Sequence, residues 1–395
     1  MDQTRPTAPA NVMNVAVEIL EMYAGADDGA PNRCGHDAGP MVLASLAFSA
    51  GGATADLARQ VIRRWLGELP EQIHSVGAFG GLGGFIAGVR AGITVDSQLS
   101  SLADGLIDQT RRWLRDVEWR TSLVAWRDYD LFNGPTGLVL AGATSGESTA
   151  PFVPAAWHLG LLCDEDALGR LRAGTEIDPR SAFNIGRINT GMAHGVTGVA
   201  SALRHASETF EVGSDYLPSL KRACAWLAQE VYLADCGLIT WPPVGLEGAS
   251  PSFAVDDPQA WCYGTPGVAW TLWDAGRVLD DSSLQVLGEE AMRSFCRVFD
   301  ADRFIARPNV GEALSICHGA AGTLAVADAF ARHGDLGEAA SLRDYLDQYL
   351  MDRIDDIVDV ARVDMTMLNG AGGILSVMLT AHDGARDWLP QLALR

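Results

Sequence analysis

Two short stretches carry side chains that could hold a metal ion: Trp261-Cys262-Tyr263-Gly264-Thr265-Pro266-Gly267 and Cys317-His318-Gly319-Ala320-Ala321-Gly322. Each sets its donors directly before a glycine turn, so distant parts of the chain could converge on one ion. Two thiols and an imidazole are the donor set of a Cys₂His zinc site whose fourth position stays open to water or substrate. Neighbours in a regular helix point about 100° apart, so Cys317 and His318 can ligate together only if Gly319 supplies an irregular turn. His194 occupies the matching slot of His194-Gly195-Val196-Thr197-Gly198, and Asp130 precedes Asn133-Gly134-Pro135-Thr136-Gly137. For most such positions an ordinary helix cap packed against its neighbour is a sufficient reading. Cys34-x-His36 sits in a degenerate copy of the turn and takes that bland reading. Cys163, Cys224, Cys236 and Cys296 have no partners at metal spacing and read as core residues.

What must position these donors is a repeat. Taking Gly35, Gly80, Gly134, Gly195, Gly264, Gly319 and Gly370 as markers, the steps are 45, 54, 61, 69, 55 and 51 residues, room for two helices each time. Apolar runs follow the turns, among them Phe85-Ile86-Ala87, Leu138-Val139-Leu140 and Ile374-Leu375. Between them lie amphipathic stretches at 220–232, 283–298 and 338–350, with apolar residues at three- and four-residue steps. That contrast predicts an all-α double ring of about fourteen helices, apolar ones inside and amphipathic ones outside. Paired glycines would permit positive φ and close approach of neighbouring helix ends. If the turns share one end of the ring, the residues before them rim a central cavity. The repeat runs almost end to end, which predicts one unit over 1–395, with 1–10 as a loose arm. A β-prone, Pro-terminated stretch at 237–244 reads as a small excursion at one rim, and 142–151 as a mobile loop.

With 48% hydrophobic and 20% charged residues in 395, the chain can bury a large core. A formal charge of −21 and a pI near 4.6 argue against nucleic acid as a partner, because phosphate binding needs a basic surface. The same charge could steer a cationic peptide or simply confer solubility. No apolar run approaches the roughly 18 residues of a membrane span. Seven scattered Cys and the lack of a signal-peptide pattern predict a reducing, cytoplasmic setting without disulfides.

The two metal-donor motifs, His194-Gly195-x-x-Gly198 and Gly80-Gly81-Leu82-x-Gly84 together resemble the lanthionine synthetase C-like family, the lanthipeptide cyclases, from about residue 77 to 373. The length resembles the stand-alone cyclases of class I lantibiotic systems. The resemblance implies an α,α-toroid holding one zinc ion through Cys262, Cys317 and His318. It implies addition of precursor-peptide Cys thiols to dehydroalanine or dehydrobutyrine, forming lanthionine and methyllanthionine thioether rings. A free thiol with a pKa near about 8.5 is mostly protonated at neutral pH, and coordination to zinc deprotonates it. The enolate left by attack on the β-carbon then needs an acid. His194 is the candidate acid, Asp130 matches the family's pre-glycine Asp that would orient it, and Tyr263 could donate to the enolate oxygen. Trp261 reads as packing. The family often carries an Arg four residues before the first zinc Cys, where this chain has Pro258; Arg187 or Arg362 could substitute.

The resemblance also implies a dehydrated precursor peptide, leader plus core, as substrate. It implies a complex with a dehydratase and an exporter, close to the membrane. Other classes remain as alternatives. A non-catalytic relative would bind peptide or glutathione. A zinc prenyltransferase would share the double ring but use an Asp ligand and a basic diphosphate pocket. A toroid glycosidase would need paired carboxylates, and Asp130 has no obvious mate.

Overall fold

The computed structural model describes residues 10–26, 37–68, 70, 73–143, 149–175, 184–246, 259–305 and 307–395. The chain enters on α1 (Ala10–Gly25), α2 (Gly39–Ser49), α3 (Ala55–Gly67), α4 (Leu82–Ile93), α5 (Leu99–Asp116), α6 (Pro135–Ala143) and α7 (Val153–Leu162). It continues through α8 (Val196–Thr209), α9 (Leu217–Gln229), α10 (Thr265–Leu279) and α11 (Ser282–Val298). Two short helices, α12 (Ala301–Phe304) and α13 (Val310–Leu314), precede α14 (Ala320–His333), α15 (Gly337–Met351), α16 (Ile354–Ala361) and α17 (Ala371–Ala381).

Packing sorts these helices into two layers. Helices α2, α4, α6, α8, α10, α14 and α17 each pack on the next, and α17 returns to α2, closing an inner ring. Around it lie α1, α3, α5, α7, α9, α11 and α15, each against the inner helix beside it in sequence. The fold is an α,α-toroid. Side-chain chemistry explains the sorting. Helix α17 buries every residue from Ala371 to Thr380, so it can only be surrounded. Helix α11 buries Leu284, Gly288, Ala291, Met292, Ser294 and Phe295 along one stripe and turns partly or fully exposed residues outward.

Every inner helix begins at one of the glycine turns, and those turns share one rim. They are stitched sideways: Ala78 N donates to Leu131 O (2.9 Å), Leu131 N to Ala193 O (3.1 Å), Met192 N to Cys262 O (2.8 Å) and Cys317 N to Leu368 O (3.1 Å). The seam between the last turn and the first is a side-chain bond. Met367 N donates to the buried Asp37 carboxylate at 2.7 Å. Close approach, more than positive φ, is why the turns need glycine. A Cβ on Gly322 would stand 1.9 Å from Ile316 O, and among the described first glycines φ is positive only at Gly80 (80°) and Gly264 (79°).

The β-excursion is smaller than expected and starts earlier. Strand β1 (Tyr232–Leu233) pairs antiparallel with β2 (Ile239–Thr240), so Tyr232 leaves the helical stretch expected at 220–232, which ends with α9. In the expected loop at 142–151, Gly142 and Ala143 still belong to α6, while Pro151 and Phe152 are buried in a 3₁₀ turn; 144–148 lie outside the described residues. The arm at 1–9, Cys34, His36 and Pro258 also lie outside them, and Ala10 already belongs to α1. Among the described residues no helix is long and apolar enough to cross a membrane.

Candidate metal centre

Cys262 and the Cys317-His318 pair arrive from consecutive inner-ring turns, those that open α10 and α14. Their ligand atoms all lie within 4.8 Å of one another. Cys317 Sγ and His318 Nε2 are 3.9 Å apart, close to the roughly 3.6 Å edge that zinc–sulfur and zinc–nitrogen bonds of about 2.3 and 2.1 Å subtend in a tetrahedron. The donor set therefore fits a zinc ion after a small contraction. Both thiols are buried and the imidazole is half-buried, which leaves one side reachable. The thiols are hydrogen-bonded to each other. The hydrogen bond from Cys262, helped by the imidazole, holds Cys317 down at about 5, and the same bond together with burial pushes Cys262 up. His318 is raised mainly by its hydrogen bond to Cys317, with Arg307 close enough for its charge to oppose that rise. A groove of about 650 Å³ opens beside His318, lined in part by Glu312, Asn369 and Asp364.

The neighbouring turns bring a second group of side chains to the same rim. His194 Nδ1 lies 2.6 Å from Asp130 Oδ2. The other carboxylate oxygen of Asp130 accepts from Asn133 N (2.7 Å) and Gly134 N (2.9 Å), so one residue both caps the α6 turn and holds the imidazole. Burial lifts Asp130 above the ordinary carboxylate range, while His194 and those amides pull it back. Trp126 stacks on His194 with centroids 4.0 Å apart and planes 16° apart, and Phe132 covers it at 4.9 Å. Tyr129 OH donates to His194 O at 2.6 Å. His194 acts electrostatically on Cys317, and Tyr263 feels both the thiols and Asp130. Tyr263 accepts from Asn189 Nδ2 at 2.8 Å and keeps its own proton, with burial pushing its pKa to about 12.

The structure thus gathers Cys262, Cys317, His318, His194, Asp130 and Tyr263 on one rim. Arg187 and Arg362 do not join them. Arg187 donates to Gly245 O at 2.7 Å, and the solvent-exposed Arg362 pairs with Asp359. Among the described residues the charge of Arg307 acts on His318, although its guanidinium donates to Phe304 O at 3.3 Å, and nothing in its sequence surroundings marks it. Trp126, Tyr129 and Asn189 were also not singled out from the sequence. Asn189 had a signal, a small polar residue six positions before a marker glycine, where it accepts from Gly191 N at 2.8 Å. Cys236 is exposed and Cys296 partly so, correcting their reading as core residues; the six cysteines among the described residues are all free.

A closed double ring of helices with a Cys₂His cluster on its glycine-turn rim defines a helical toroid built around one candidate metal position. The chain belongs to the lanthionine synthetase C-like protein family, whose model matches residues 38–335. Among solved structures the fold is similar to that of nisin cyclase, with a TM-score of 0.77 and 16% sequence identity, covering 97% of this chain and 96% of that one. A search of curated protein sequences returned no match.

Proposed function

We propose that this protein is a zinc-dependent lanthipeptide cyclase that adds Cys thiols of a dehydrated precursor peptide across dehydroalanine or dehydrobutyrine. The observation that carries the reading is the convergence of Cys262, Cys317 and His318 beside the His194–Asp130 pair. Family membership and the likeness to nisin cyclase support it.

Cys262, Cys317 and His318 would hold one zinc, which supplies Lewis acidity and a thiolate nucleophile at neutral pH. The chain's own groups account for the rest of the reaction. Asp130 accepts the Nδ1 proton of His194 and so leaves Nε2 to deliver a proton to the α-carbon of the enolate. Trp126 and Phe132 fix the plane of that imidazole, so the proton arrives from one face. Tyr263, whose oxygen is already steadied by Asn189, has its hydroxyl proton available for the enolate oxygen. Arg307, whose charge acts on His318, is a candidate for the cation the family places ahead of its first zinc Cys. The toroid would act as one domain over 1–395, in the cytoplasm, taking its peptide from a dehydratase in a complex that includes an exporter.

The test is metal content by mass spectrometry beside ring closure of a synthetic peptide bearing one dehydroalanine and one Cys. One zinc per chain, lost in Cys317→Ala together with ring closure, is expected. A folded wild-type chain that stays metal-free with added zinc would remove the mechanism and favour a peptide- or glutathione-binding toroid.

A further inference from the structure

Residues 385–395 insert into the toroid's lumen. This segment enters from the end opposite the glycine turns, where Arg386 pairs with Asp328 of α14 at 2.6 Å. It climbs through the 3₁₀ turn Leu389–Leu392, against α6, and brings Leu392 O to the indole N–H of Trp261 at 2.9 Å. It then reverses at Ala393, whose φ of 57° is left-handed and whose carbonyl accepts from Trp270 Nε1 at 3.2 Å. Arg395 ends back at the far side, with its guanidinium on Glu208 of α8 and Asp274 of α10. Arg386 Nε donates to Arg395 O at 3.0 Å, closing the base of the loop. Leu389, Leu392, Ala393 and Leu394 are buried.

The tip of this loop meets a residue of one metal-bearing turn that packs on the other. Trp261 directly precedes Cys262 and is fully buried. On the other side its Cβ packs on Gly322 of the Cys317-His318 turn so closely that a Cβ there would stand 3.0 Å away. Phe79 meets its ring edge-on at 6.5 Å. A shift of the indole would therefore move the Cys262 turn relative to the Cys317-His318 turn, and the indole N–H has a single buried acceptor, on the inserted loop.

We infer that the 385–395 loop is a strut that sets the spacing of the metal donors, with Trp261 as the positioning residue through which it acts. This rests on the metal-centre reading above and adds to it a part of the chain distant from every donor. Metal binding and ordering of the loop are then reciprocally coupled.

The experiment compares wild type, Trp261→Phe and Trp270→Phe, each of the variants losing one buried indole donor to the same loop. Zinc affinity is read by competition with a chromophoric chelator, and folding by circular dichroism and melting. Trp261→Phe is expected to bind zinc on the order of 10-fold more weakly, the scale of lost support behind metal ligands. Trp270→Phe should melt lower yet keep zinc affinity within about twofold, because its indole braces the loop from outside the ligand turn. Equal zinc affinity in Trp261→Phe and wild type, or an equal loss in both variants, overturns the strut. Should Trp261→Phe fail to fold, hydrogen exchange on the wild-type chain decides. Zinc is expected to slow amide exchange in 388–395 together with 260–264, and unchanged exchange in 388–395 overturns the inference. A wild-type chain that binds no zinc fails the earlier reading instead, so the two failures are distinct.

Discussion

Replacing Asp130 with Asn tests the acid role of His194 with little disturbance of the fold. In the wild type, Oδ1 caps the turn through Asn133 N and Gly134 N while Oδ2 faces His194 Nδ1 at 2.6 Å. Asn keeps the capping oxygen and presents an N–H to the imidazole. His194 must then accept at Nδ1, and it loses the carboxylate that orients the ring and would support the charge of proton transfer. A hydrogen bond to a charged group contributes about 1.5–3 kcal/mol, so kcat for ring closure should fall by about 10- to 150-fold. Zinc content should not change, and melting should stay close to wild type because a buried charge has been removed along with its partner bond. The product carries a second signature. In the proposed mechanism, Trp126 and Phe132, which hold the His194 ring, confine the acid to one face of the enolate, whereas protonation by solvent would give both configurations at the α-carbon. Liquid chromatography with mass detection measures the rate, and chiral analysis of the hydrolysed ring residue measures the configuration. A wild-type kcat together with a single configuration in Asp130→Asn would refute the role given to this pair.

Two further predictions concern the ring itself. Burial raises the pKa of Asp37 from 3.8 to about 7, so its contribution to stability is full below about 4 and is lost as pH rises through 7. Relative to Asp37→Asn, which keeps an acceptor for Gly39 N and Met367 N, the wild type should weaken by about 1.4 kcal/mol per pH unit inside that window. Denaturant titrations at pH 5, about 6 and about 7 read it, and a pH-independent difference would overturn the assignment. Gly322→Ala places a methyl 1.9 Å from Ile316 O, which should destabilise the α14 turn by about 1–3 kcal/mol and weaken zinc binding, read by melting and chelator competition. An unperturbed variant would show that close approach is not what the glycine supplies.

Much of the architecture was legible in the sequence because its cause is local. The glycines recur where a backbone carbonyl occupies the space of a Cβ, and the apolar runs after them are buried on all sides, so marker spacing alone yields the alternation of inner and outer helices. The donors were legible for the same reason, since Cys262 and Cys317-His318 sit in equivalent slots of neighbouring repeats. Strand β1 was hidden because Tyr232 and Leu233 continue an amphipathic pattern, and the pairing with Ile239 and Thr240 overrides it.

Other features depend on contacts no local pattern specifies. Met367 reaches Asp37 across 330 residues to close the ring, and Trp261 reaches Leu392 across 131. Trp126 becomes the floor under His194, Arg187 and Arg362 find partners away from the centre, and 385–395 turns inward into the lumen. Periodicity and turn chemistry are properties of neighbouring residues and can be read from the chain. Which distant side chains meet inside a closed ring depends on how all the helices pack at once, and only the tertiary structure decides that.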